Sequence, residues 1–158
     1  MAIRNIVKEG DPILHKKCRP VEKFDSRLHQ LLDDMAETMH DACGVGLAGP
    51  QVGTLRRVVV VDIGEGVIEL INPKIVMKAG EQVTAEGCLS CPGEFGLTKR
   101  PMYVTVLAQD RNGNEITVKG EGLLAKAFCH EIDHLDGILY KQIMIRKLSE
   151  EELGDTED

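Results

Sequence analysis

Two histidines and a glutamate fall within the five residues His130-Glu131-Ile132-Asp133-His134. The surrounding pattern predicts a helix from about Leu123 to Leu135. Residues four apart on a helix lie about 40° apart around its axis and one turn above each other, so both imidazoles can reach one metal ion. The Glu131 carboxylate is too far round to be a third ligand, but it is close enough to take a proton from water held at that ion. Metal-assisted hydrolysis needs this arrangement. A helix with two surface histidines is the plainer explanation, but the chain has only five histidines and two of them take this spacing around a Glu. A further ligand and the oxyanion donors must come from elsewhere in the chain.

Three readings compete for that ligand. Downstream, His134-Leu135-Asp136-Gly137-Ile138-Leu139-Tyr140 comes close to the HExxHxxGxxH pattern of the metzincin proteases, but Tyr140 stands where their third His is required. A second reading joins Cys88 and Cys91 to His130 and His134 as a structural zinc site, which would make the protein a metal-stapled binding domain. The spacing within each pair is right for that, although the gap between the pairs holds a whole hairpin, and Glu131 would have no task. The third takes Cys88 alone with the two histidines, which leaves one position open for water, as catalytic sites do. Cys91, Cys18, Cys43 and Cys129 are then buried or packed thiols.

The elements that must hold these residues follow from patterning. Residues 1 to 24 are irregular, with turns at Gly10-Asp11-Pro12 and Pro20. From Phe24 to Gly44, Leu28, Leu31, Leu32, Met35 and Met39 recur at helical spacing behind an N-cap at Asp25, and Gly44 can end this amphipathic helix. Residues 44 to 53 carry four glycines and a proline. This segment reads as a shaped loop without regular structure, in which Gln51 is the polar side chain able to donate to a substrate. Val58–Asp62 and Val67–Asn72 read as strands around Gly64-Glu65-Gly66, Lys74–Thr84 as one or two more, and Tyr103–Asp110 with Glu115–Lys119 as a hairpin around Asn112-Gly113. The expected fold is α+β, a mostly antiparallel sheet packed around the metal-binding helix, with the amphipathic helix near the N-terminus. At 158 residues one domain over 1–147 is expected, followed by an acidic, frayed and solvated tail over 148–158.

Composition narrows the class. A hydrophobic fraction of 42% and a net charge of −7 suit a globular protein and argue against nucleic-acid recognition through a broad basic face. No apolar run reaches membrane-spanning length, and the start lacks a signal-peptide pattern, so the expected location is the cytoplasm, with no membrane contact. Five cysteines in a reducing compartment read as ligands or thiols, not as a disulfide framework.

GVGLAGPQVG over residues 44–53, EGCLSCPG over 86–93 and HEIDHLDG over 130–137, in this order, resemble the three motifs of the bacterial peptide deformylases, and Gly10–Leu14 is similar to that family's start. The resemblance implies a hydrolase that removes the formyl group from the formylmethionyl N-terminus of nascent polypeptides and releases formate. It implies ferrous iron, with zinc, nickel or cobalt as substitutes, held by Cys88, His130 and His134. Glu131 is then the acid/base, and Gln51 with the Leu89 backbone N–H the oxyanion donors, while Glu86 would pair with Arg100 to steady the ligand strand. Gly44, Val45 and Gly46 offer a peptide-binding edge, and Val45, Leu123 and Ala127 line the methionine pocket. Three positions depart from the family pattern: Gly49 stands in place of Ala, Cys91 in place of an aliphatic residue, and Lys126 where an apolar pocket residue is expected. The short acidic end also differs from members with a long basic C-terminal helix, so a transient ribosome contact would fall to Lys141, Arg146 and Lys147.

Overall fold

The computed structural model describes residues 2–156. Helix α1, Ser26–Asp41, starts where Asp25 caps it by accepting from the Leu28 N–H. It ends one residue earlier than its glycine suggests: Cys43, not Gly44, takes the left-handed conformation (φ 57°), and the Gly44 N–H returns to the Met39 carbonyl at 3.0 Å. Helix α2, Leu123–Leu135, has the bounds that its periodicity predicts.

The strands form two antiparallel sheets where one was expected. β1 (Gly46–Ala48), β2 (Val58–Val61), β3 (Ile68–Ala79), β6 (Tyr103–Gln109) and β7 (Glu115–Glu121) make five strands in the order β1-β2-β3-β6-β7. β4 (Gln82–Cys88), β5 (Cys91–Arg100) and β8 (Arg146–Lys147) make the other three. The glycine-rich segment is therefore partly regular, because β1 adds to the sheet edge through Leu47↔Val60 and a 3-10 turn follows over Gly49–Val52. β3 runs straight through Pro73. Asn72 adopts φ 52°, the register shifts between Ile71 and Lys74, and the Asn72 side chain hydrogen-bonds both the N–H and the carbonyl of Val21, so a bulge absorbs the proline.

β2 explains how the layers meet. All four of its valines are fully buried, because Val58 and Val60 face α1 while Val59 and Val61 join the core under α2. Covering both faces turns the strand into a continuous apolar run instead of an alternating one, and each buried valine contributes roughly 1.5–3 kcal/mol. Phe128, Ile132 and Leu135 of α2 pack on that face with Leu70, Val104 and Val106. The opposite side of α2 turns to the three-stranded sheet, where His130 and Asp133 meet Glu86 and Arg100. The acidic end carries α3, Glu150–Thr156, where a frayed tail was expected, with Glu152 paired to Arg146 at 2.7 Å. Residues 157 and 158 of that expected tail lie outside the described residues.

Candidate metal centre and catalytic site

Cys88 ends β4 at the tip of the β4–β5 hairpin, and His130 and His134 sit one turn apart on α2. Their ligating atoms all lie within 4.8 Å of one another. His134 Nε2 is 3.3 Å from Cys88 Sγ and 3.2 Å from His130 Nε2. Tetrahedral coordination at ordinary metal–sulfur and metal–nitrogen lengths would put such pairs roughly 3.5 and 3.3 Å apart. The donor set therefore fits a single ion. Cys91 is outside the cluster: its thiol meets Cys88 and Glu9 Oε2, the latter at 3.6 Å, but its sulfur is not within 4.8 Å of all three ligating atoms, which counts against the four-ligand zinc site. Tyr140, at the position of a metzincin's third His, is buried with its hydroxyl on the Glu94 carbonyl, and it stacks near His130 at 6.1 Å between ring centroids.

A chain of charges fixes the ligands. His130 Nδ1 lies 2.6 Å from Glu86 Oε2, which leaves Nε2 to face the centre. Arg100 donates to both oxygens of Glu86 at 3.0 and 2.7 Å, and Thr98 Oγ1 donates to one of them at 2.8 Å. The remaining Arg100 nitrogen reaches Asp133 on α2 at 2.7 Å. Burial alone would raise the Glu86 pKa, but the hydrogen bonds from His130 and Arg100 outweigh it and hold the carboxyl well below its usual range. Sequence reasoning found Glu86 and Arg100. It missed Asp133 and Thr98, although Asp133 stands three residues after His130, a spacing that brings two side chains to neighbouring parts of one helix face.

Glu131 is 4% exposed and its Oε1 has no hydrogen-bond partner among the described residues. Burial pushes its pKa up to about 7. A carboxyl so placed can hold or release a proton near neutrality. Burial likewise pushes the pKa of His134 well below its usual value, which keeps it neutral as a ligand. Gln51 is buried. Its Oε1 accepts from the Ala48 N–H at 3.0 Å, and its Nε2 points to Ser90 Oγ at 3.1 Å and Cys88 Sγ at 3.5 Å. Ser90 as the anchor of Gln51 carried no signal in the sequence.

A cleft of about 370 Å³ opens on the centre, with Cys88, His130 and Glu131 in its wall. Gly44, Val45, Gly46, Leu89, Leu123 and Ala127 also line it, so the structure gathers every residue assigned to substrate binding around one opening. Val45 and Leu123 are 41% and 47% exposed, whereas Ala127 is buried. Lys126 lines the cleft as well, with its ammonium turned to β4. The three cations assigned to ribosome contact are already engaged: Lys141 with Glu9 and Glu94, Arg146 with Glu152, and Lys147 with Glu94. Among the described residues no helix is long and apolar enough to cross a membrane.

Residues 3–150 match the family described as polypeptide deformylase. A peptide deformylase of Caldicellulosiruptor bescii is 60% identical over 153 residues, covering 97% of this chain and 92% of its own. One from Acetivibrio thermocellus is 58% identical over 153 residues, with 97% and 90% covered. Among solved structures, the peptide deformylase of Thermotoga maritima superposes with a TM-score of 0.88 at 40% identity, covering 90% of this chain and 97% of its own. That of Legionella pneumophila gives 0.87 at 42% identity, with 98% and 95% covered.

Proposed function

Because the chain belongs to the peptide deformylase family and is a metallohydrolase that removes N-terminal formyl groups, we propose how its own residues divide that work. Cys88, His130 and His134 hold the metal. The family resemblance assigns ferrous iron to this site, and a set of one thiolate and two imidazoles also takes zinc, nickel or cobalt. When bound, the ion acts as a Lewis acid and makes an attacking water more acidic.

Glu131 takes the proton from that water as its oxygen adds to the formyl carbon. It then hands the proton to the leaving amine nitrogen when the carbon–nitrogen bond breaks, which frees formate and the peptide amine. Negative charge grows on the formyl oxygen. We assign its stabilisation to the Gln51 Nε2 donor, which sits on Ser90 Oγ and Cys88 Sγ at the ligand strand, and to the Leu89 backbone N–H; one such donor is typically worth about 3–4 kcal/mol. The edge of β1 and the residues before it, Gly44 to Gly46, accept the peptide as an added strand, which binds backbone without reading distant side chains. Val45, Leu123 and Ala127 enclose the methionine side chain.

Residues 1–147 act as one catalytic domain in this reading. The substrate, a formylated N-terminus on a nascent polypeptide, places the enzyme in the cytoplasm with transient contact to the ribosome. Contact through Lys141, Arg146 or Lys147 requires exchanging their glutamate partners for phosphates.

The observation that carries the mechanism is the unpartnered, buried Glu131 oxygen beside three converging ligands. Glu131→Ala should keep the metal and the fold while losing nearly all formate release from a formylmethionyl peptide. Activity retained in that variant would end the assignment.

A further inference from the structure

Cys88 and Cys91 close the β4–β5 hairpin, one on each strand, with Leu89 and Ser90 as the turn between them. They are register partners, just beyond a shift at Gly87. Residues opposite each other in an antiparallel pair hold their Cα atoms about 4.5–5.5 Å apart and send their side chains to one face. A disulfide spans Cα separations of about 4.4–6.8 Å, so the hairpin presents the two cysteines at bridging distance. Their thiols already meet in a hydrogen bond. The Cys88 sulfur also lies 3.3 Å from His134 Nε2. That sulfur thus has two partnerships that exclude each other: as a thiolate it holds the ion, and as half of a disulfide it has no charge to offer one. Both cysteines line the cleft, which gives a small oxidant a way in.

We propose that Cys88 and Cys91 form a redox modification site, in which hydrogen peroxide joins them as a disulfide and thereby releases the metal. The proposal rests on Cys88 being a metal ligand, as in the deformylase reading. The Cys88 thiolate attacks one peroxide oxygen; the O–O bond breaks, hydroxide leaves to take a proton from solvent, and Cys88 becomes a sulfenic acid. The Cys91 sulfur then attacks the Cys88 sulfur, the S–S bond forms, the S–O bond breaks, and the departing hydroxide carries off the Cys91 proton. One thiolate, one thiol, one proton and one peroxide become a disulfide and two waters. Cys91 in this way intercepts the sulfenic acid before more peroxide carries it to the irreversible sulfinic and sulfonic acids, and thiol exchange can reopen the disulfide.

The test uses the zinc-loaded enzyme, because zinc has no redox chemistry of its own to confuse the result. Wild type and Cys91→Ser are treated with graded hydrogen peroxide, quenched by alkylation, and read by peptide mass and released zinc. Zinc rebinding is measured after dithiothreitol treatment and its removal. In wild type an 88–91 linkage should form, with about one zinc released per linkage and rebound after reduction. Cys91→Ser should start with the zinc content of wild type, form no linkage, and lose zinc without recovery as Cys88 gains further oxygens; Cys91→Val repeats the comparison if the serine variant folds poorly. Sulfinic or sulfonic Cys88 in wild type with no 88–91 linkage would overturn the proposal. So would zinc loss in Cys91→Ser that is as reversible as in wild type, or a linkage from Cys88 to Cys43 instead. Failure of the deformylase reading would show separately, as no formate from the untreated enzyme loaded with ferrous iron, whereas the peptide masses need no turnover.

Discussion

Gly46→Ala tests the position of the proposed acid/base without touching it. A Cβ built on Gly46 would lie 2.5 Å from Glu131 Oε2, 2.9 Å from its Cγ and 3.0 Å from its Cδ. Ordinary contacts are about 3.5–4.0 Å, so the carboxylate would have to move by roughly 1 Å. β1 cannot retreat easily, because Gly46 is paired with Val61 in the sheet, so the shift falls on the Glu131 side chain, which would have to turn toward the cleft that it lines. Gly46 does not have the positive φ that only glycine tolerates, so the effect is steric and not conformational. Overpacking of this kind costs about 1–3 kcal/mol of stability, and a displacement of about 1 Å at a reacting group can cost about 10²-fold in rate. The expected outcome is a fall of about 10²-fold in kcat/KM for formate release, with metal content unchanged. Gly44→Ala is the comparison: its Cβ would meet Leu89 Cδ1 at 2.6 Å, but a leucine end can rotate away, so the loss should be smaller. Turnover within about threefold of wild type in Gly46→Ala would refute the claim that the Glu131 carboxylate works from this position.

Gln51→Ala should lower turnover by about 10²-fold or more with metal retained; metal loss in that variant would mean that its amide orders Cys88 and Ser90 instead of serving the formyl oxygen. Cys88→Ser should strip or weaken the metal, as read by elemental analysis of protein purified without oxygen, while Cys91→Ser should keep it. Glu86 is held well below its ordinary value of 4.5, so on acidification the unfolded chain takes up a proton that the folded chain refuses. Its stabilisation is present above about pH 4.5 and lost below it at up to about 1.4 kcal/mol per pH unit. Glu86→Gln should flatten the fall of Tm with decreasing pH in that acid range, and an unchanged slope would remove Glu86 from the acid response.

The legible parts of the site were those written in local spacing. His130 and His134 declare themselves because a helix repeats every few residues, and α2 has the bounds its pattern predicts. β5 was not legible, since Pro92, Gly93 and Gly96 lower its strand propensity, and only pairing with β4 makes it a strand. The same long-range pairing turns Gly46–Ala48 into an edge strand, which glycine content alone argues against. Arg100 shows the limit best. Its charge and its pairing with Glu86 were expected, but its second partner, Asp133, depends on how the hairpin docks against α2, and no local pattern specifies that.

That docking decides what the metal does for the fold. Its ligands come from two elements, β4 and α2, so ion binding is linked to their association. If the ion were the fastening, as in domains closed by zinc, its removal would unfold the chain. Here Arg100 bridges Glu86 and Asp133 at 2.7 Å each, Glu86 also meets His130 at 2.6 Å, and Lys126 ties α2 to the Ala85 carbonyl. None of these contacts needs a metal, and the α1 and α2 cores lie on the other sheet. Chelation should therefore remove only the linkage contribution, about 2.7 kcal/mol when free metal had stood at about a hundredfold its Kd. For a chain of this size that corresponds to a Tm lower by about 5–11 °C with the transition still cooperative. Thermal unfolding followed by near-ultraviolet circular dichroism, without oxygen and with or without chelator, measures this directly. Disappearance of the cooperative transition on chelation would show that the ion, and not the Arg100 network, holds the hairpin to the helix.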